Sequence, residues 1–128
     1  MPSRPLSPHL SVYKFKYTLA TSILNRFTGS ALSLGLLGLV YWLMAVAAGA
    51  AAQARAQRLL SLPFAKLAAA AFVFALAYHL VAGIRHLVWD TGRGLERAQS
   101  QRSAWAVGIL SVLLTLAILA ALWHGGAT

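Results

Sequence analysis

LAAAAFVFALAYHLVAGIRHLVWD, residues 67–90, decides the fold. From Leu67 to Ile84 it carries no Lys, Arg, Asp or Glu and is built mainly of Ala, Leu, Val and Phe. As a helix those residues reach about 27 Å at ~1.5 Å per residue. That nearly matches the ~30 Å hydrocarbon core of a bilayer, and the flanking residues supply the rest. The run holds a histidine, His79, and closes on Arg85, His86 and Asp90. An ionisable group inside a membrane helix is costly, so it marks a functional site by default.

Two further runs free of formal charge flank this one, Phe27 to Ala54 and Ser103 to Thr128. The chain of 128 residues is 59% hydrophobic and 10% charged, and its mean hydropathy is +0.70. Soluble domains carry about a quarter charged residues. The expected class is an all-α membrane protein with three transmembrane helices. Three helices close poorly around a cofactor, so they are expected to form half of a heterodimeric bundle.

The formal charge is +9, from eleven Lys and Arg against Asp90 and Glu96. Nucleic acid is not the expected partner, because the cations fall between the apolar runs, where topology explains them. Arg4, Lys14, Lys16 and Arg26 precede or open the first run, and Arg85, Arg93, Arg97 and Arg102 lie around the second connection. Arg55, Arg58 and Lys66 lie around the first. Four and four against three predicts an inside N-terminus and an outside C-terminus. The absence of cysteine excludes disulfides, thiolate catalysis and an iron–sulfur cluster held by this chain. The N-terminus lacks the charged-then-apolar layout of a secretory signal. A bacterial cytoplasmic membrane is the expected location.

An N-terminal arm is expected over 1–20, where Pro2, Pro5 and Pro8 block an early helix. Its aromatics and lysines (Tyr13 to Tyr17) suit the lipid headgroup layer. The three-helix domain is expected over 21–128, with helices at about 21–50, 63–89 and 104–124. Pro63 suits a first helical turn, Gly92 and Gly94 a helix end, and Trp105 and Trp123 anchor the last helix at its two interfaces.

On the second helix Ala68, Phe72, Ala75, His79, Gly83, His86 and Asp90 follow helical spacing along one face. Ala75 and Gly83 stand one turn before and after His79, where small side chains let a flat macrocycle approach. His79 lies ~20 Å along the helix from Lys66 and ~9 Å from Arg85. The spacing admits an axial haem ligand, with Arg85 and His86 placed for haem propionates. It equally admits a histidine hydrogen-bonded across the bundle, or a proton relay. Near the start of the first helix, Ser22 and Arg26 are one turn apart and share a face. A hydroxyl and a cation so placed can bind a carbonyl or carboxylate; a helix-start serine beside a topology-setting arginine is the plain alternative.

At these residues the chain resembles the cytochrome b membrane-anchor subunits of succinate dehydrogenase, respiratory complex II. One motif is Arg4-Pro5-Leu6-Ser7-Pro8-His9-Leu10 followed by Ser22-Ile23-Leu24-x-Arg26-x-Thr28-Gly29. The other is His79-x-x-x-Gly83-Ile84-Arg85-His86-Leu87-x-Trp89-Asp90. The resemblance covers nearly the whole chain. It implies a second membrane-anchor subunit, one haem b shared between the two, His79 as this chain's axial ligand, and Arg26 among the propionate contacts. It further implies a ubiquinone site that includes Ser22 and Arg26, where an iron–sulfur subunit carrying a flavoprotein subunit docks. The chain would take part in quinone reduction but not in succinate oxidation. Within the family the alternative is a fumarate reductase anchor; outside it, a non-haem membrane subunit with a proton-relay histidine. In one respect the chain departs from the pattern: the family usually has histidine where Asn25 stands, near a propionate, and asparagine can donate a hydrogen bond but not carry charge.

Overall fold

The computed structural model describes residues 17–125, without the side chains of residues 17 and 18. Most of the expected arm therefore lies outside the described residues, as do Arg4 to Leu10 of the first motif. Four helices make up the described chain: α1 (Tyr17–Ala47), α2 (Ala50–Leu60), α3 (Pro63–Asp90) and α4 (Arg97–Gly125). Three of them are long and apolar enough to cross a membrane: Leu19–Ala47, Pro63–Asp90 and Arg97–Gly125. Among the described residues there is no strand.

α1 ends at Ala47, because Gly49 takes a positive φ of 101° that a helix cannot continue through. The first connection is itself helical. Nothing between Ala50 and Leu60 breaks a helix, and Ala, Gln, Arg and Leu all favour one. Ala56 anchors α2 by complete burial, while Arg55 and Arg58 share its exposed side. Pro63 opens α3 after an extended Leu62, where its missing N–H costs nothing. α3 ends at Asp90 with Thr91 as its cap, and Gly92 and Gly94 turn the chain with φ of 76° and 74°. α4 starts at Arg97, ahead of the start expected near residue 104. Its polar first turns have partners: Ser100 and Ser103 both bond Arg85 of α3.

α3 packs against both α1 and α4. Its contact with α1 is antiparallel and in register. Thr21, Thr28 and Gly35, seven residues apart on α1, face Arg85, His79 and Phe72. Gly35 keeps this seam close, because a Cβ there would overlap the Phe72 ring where it lies. Tyr78, Ala82 and Val107 form the centre between α3 and α4, with Val81 against them. The other buried residues are small: Ala45, Ala75, Ala77 and Ala104 among them. Small contacts of this kind let helix backbones approach in lipid, where hydrophobicity alone does not drive association. Buried Ser111 and Thr115 bond back to their own helix, at Val107 O and Ser111 O. Large side chains such as Phe27, Leu34, Leu37, Phe64 and Leu116 point outward, as a lipid-facing surface requires.

Candidate functional site

The site lies where α1 begins and α3 ends. His79 is half-buried, and its ring crosses to α1. Nδ1 lies 3.1 Å from the backbone carbonyl of Asn25 and 3.4 Å from Thr28 Oγ1. A carbonyl cannot donate, so the Asn25 bond requires the proton on Nδ1. The Thr28 hydroxyl donates to the same carbonyl at 3.0 Å, which leaves its oxygen to accept from Nδ1–H. In the neutral ring this bonding selects the Nδ1–H tautomer, whose Nε2 carries the lone pair an imidazole needs to ligate a metal. Gly29 makes room for the ring: a Cβ at this position would stand 3.1 Å from His79 Cε1.

The two small flanks of His79 differ. Gly83 borders open space, with nothing within 4 Å of a Cβ built on it, whereas Ala75 is packed inside the bundle. The face drawn through Ala68 to Asp90 is exposed at both ends and half-buried around His79, Gly83 and His86. His86 meets the Trp89 ring edge-on at 5.4 Å between centroids, and Asp90 is exposed.

Arg85 does not share that face. It is 7% exposed and turned into the bundle. Nε donates to Ser103 Oγ at 2.9 Å, Nη1 to Thr21 Oγ1 at 3.0 Å and Nη2 to Ser100 O at 2.9 Å. The guanidinium also stacks on Trp89, 3.9 Å from the ring centroid. The structure thus gives Arg85 to the bundle interior and not to the side where His79 and His86 lie.

On α1, Ser22 is half-buried and Arg26 exposed, one turn apart. Between them the Asn25 side chain has a buried Oδ1 without a hydrogen-bond partner. An amide oxygen and nitrogen are alike in shape, so this end can equally present N–H to an acceptor. Several residues that build the site were not singled out in the sequence as partners: Thr21, the Asn25 carbonyl, Thr28, Gly29, Tyr78, Ser100 and Ser103. Thr28 and Gly29 do fall inside the first motif, but they meet His79 across some fifty positions of chain.

The model of the succinate dehydrogenase/fumarate reductase transmembrane subunit family matches residues 1–125. The chain belongs to this family. It is 40% identical over 114 residues to the succinate dehydrogenase cytochrome b556 subunit of Paracoccus denitrificans, covering 89% of this chain and 88% of the relative. The cytochrome b556 subunit of Rickettsia prowazekii is 38% identical over 113 residues, with 88% of each chain covered. The mitochondrial cytochrome b560 subunit of Bos taurus is 38% identical over 122 residues, 92% of this chain and 71% of the relative. Family membership and the three spanning helices together make this a multi-pass membrane protein of the cytochrome b anchor type.

Proposed function

We propose that the chain is the larger membrane anchor of a succinate dehydrogenase, binds haem b through His79, and forms part of the site where ubiquinone is reduced. The observation that carries the haem assignment is the hydrogen bond from His79 Nδ1 to the Asn25 carbonyl, which in the neutral ring keeps the Nε2 lone pair for a ligand bond. The donor chemistry fits: a fixed imidazole, open space beside Gly83 and an unpartnered carboxamide at Asn25. When bound, the haem supplies one-electron chemistry. Asn25 turned to present its N–H, with Arg26 beside it, offers donors to a propionate, and His86 is available on the same side as His79. A carbonyl partner suits a proton relay poorly, because it can neither take up nor pass on the proton of Nδ1.

The family resemblance implies that a second ligand to the haem would come from a partner anchor; among the described residues His86 lies near the end of α3 and His124 at the far end of α4. The flavoprotein and iron–sulfur subunits oxidise succinate and deliver its electrons. This chain holds the quinone head group out of bulk water at the end where α1 begins. Ser22 donates to one quinone carbonyl. Arg26 stabilises negative charge as the oxygen gains it. Relatives named succinate dehydrogenase favour that direction over fumarate reduction.

The test uses complexes shown to contain every subunit. Ser22→Ala removes a hydrogen bond of about 0.5–1.5 kcal/mol, and more as charge develops on its acceptor. Arg26→Leu costs more, because it removes the positive charge that offsets the charge developing on the quinone oxygen. Quinone reduction should fall in both variants relative to succinate oxidation by a soluble dye. Normal quinone turnover and normal inhibitor sensitivity in both would make the pair structural.

A further inference from the structure

Arg85 is the one buried charged side chain among the described residues. Its described partners are all neutral: the Ser103 hydroxyl, the Ser100 carbonyl and hydroxyl, the Thr21 hydroxyl and the Trp89 ring. An ion pair therefore does not explain its burial. Its rigid planar fork reaches from α3 to α4 and α1 at once, which a flexible ammonium cannot reproduce. On α1 every described contact of the fork goes to Thr21.

Thr21 is 2% exposed and is held twice from α3. Its hydroxyl accepts from Arg85 Nη1 at 3.0 Å, and its backbone carbonyl accepts from Tyr78 Oη at 3.1 Å. One residue of helix turns through about 100°, so holding the side chain and main chain of Thr21 fixes where the next residues face. The next residue is Ser22, and Arg26 follows one turn later.

We propose that Arg85 is a positioning residue for the quinone site: through Thr21 it sets the rotation of the first turns of α1, and with it the direction of Ser22 and Arg26. This rests on the reading of Ser22 and Arg26 as quinone-binding. It is read separately from ligation by His79, whose own described hydrogen bonds go to Asn25 and Thr28 and not to Thr21.

The experiment compares Thr21→Val, which keeps the shape and removes the acceptor, with Thr21→Ser, which keeps the acceptor. Both are made in the complete complex and normalised to haem content. Thr21→Val should raise the KM for quinone roughly threefold to tenfold, the equivalent of one lost hydrogen bond. The kcat and the low-spin haem spectrum should hold, and Thr21→Ser should behave as wild type. In a Ser22→Ala background Thr21→Val should cost less, because the group it positions is gone. A wild-type KM in Thr21→Val overturns the proposal, as does equal loss in Thr21→Val and Thr21→Ser, or loss of haem in step with activity. If Ser22→Ala and Arg26→Leu both leave quinone kinetics unchanged, the quinone-site reading fails instead. Should Thr21→Val not assemble while Thr21→Ser does, Arg85→Lys serves in its place: it keeps the charge, loses the planar fork that reaches Thr21 and should raise the same KM, and a wild-type KM there overturns the proposal.

Discussion

His79 was legible because it breaks an apolar run, and an ionisable residue there demands a partner. What the sequence did not disclose is that partner. The Asn25 carbonyl, Thr28 and Gly29 lie about fifty positions away, and a backbone carbonyl has no residue signature at all. Arg85 was open to misplacement for a different reason. It sits six residues after His79, so the two point to different sides of α3, yet nothing in the spacing tells which side looks inward. Buried Ala82 and Tyr78 settle that: their side is the core, and Arg85 belongs to it. Two outcomes follow from the His79 geometry. His79→Ala should abolish or convert the low-spin haem spectrum of the assembled complex, and an unchanged spectrum would remove the ligand assignment. Gly29→Val should perturb the same spectrum with the histidine intact. Even a Cβ at Gly29 stands 3.1 Å from the imidazole ring, and a branched side chain leaves the ring no room to stay where it is. An identical spectrum in Gly29→Val would show that the ring does not depend on this clearance.

Among the helices, apolar length made the three spans plain, and Pro63 and the Gly92–Gly94 turn marked boundaries through backbone chemistry. The polar segments were harder. Residues 97–102 read as connection because polarity resembles solvent exposure, but Ser100 is polar in order to receive Arg85. α2 was hidden by composition: an Ala-rich stretch continuing an Ala-rich helix gives no sign of a new direction except Gly49. The α1–α3 seam has its tightest approach at Gly35, which no spacing in the sequence marked. A Cβ at Gly35 would overlap the Phe72 ring. Gly35→Val should therefore destabilise the subunit by about 1–3 kcal/mol, the usual cost of overpacking. Thermal dissociation of the purified complex would report it as an earlier transition. Phe72→Ala should restore much of the loss when combined with Gly35→Val, since it empties the space the valine needs. An additive pair would mean that the two side chains do not meet.

At the scale of the whole molecule, the chain buries little of its own spanning surface. Only 6% of the most apolar window in α1 is inside the structure, against 22% in α3. α1 therefore presents most of its surface to lipid or to another subunit, which agrees with half a bundle and gives the orientation of the chain its importance. Charge is the ground for the orientation we propose. Arg85 is withdrawn into the bundle and no longer counts as a cation of the connections. By order in the sequence, Arg4, Lys14, Lys16 and Arg26 count with Arg93, Arg97 and Arg102 of the second connection, against Arg55, Arg58 and Lys66 around the first. Seven against three still favours an inside start, and it places Ser22, Arg26 and His79 towards that side. A reporter fused after Thr128 should therefore be active only if it is a kind that works outside the cytoplasm. The same reporter placed between Gly92 and Gly94 should be silent, and a reporter that works only in the cytoplasm should show the reverse at both positions. Cytoplasmic activity after Thr128 would invert the chain and move the candidate site to the opposite surface. The charge difference would then have been outweighed, and a succinate-oxidising partner would have to meet Arg55 and Arg58 on α2 instead of Ser22 and Arg26 on α1.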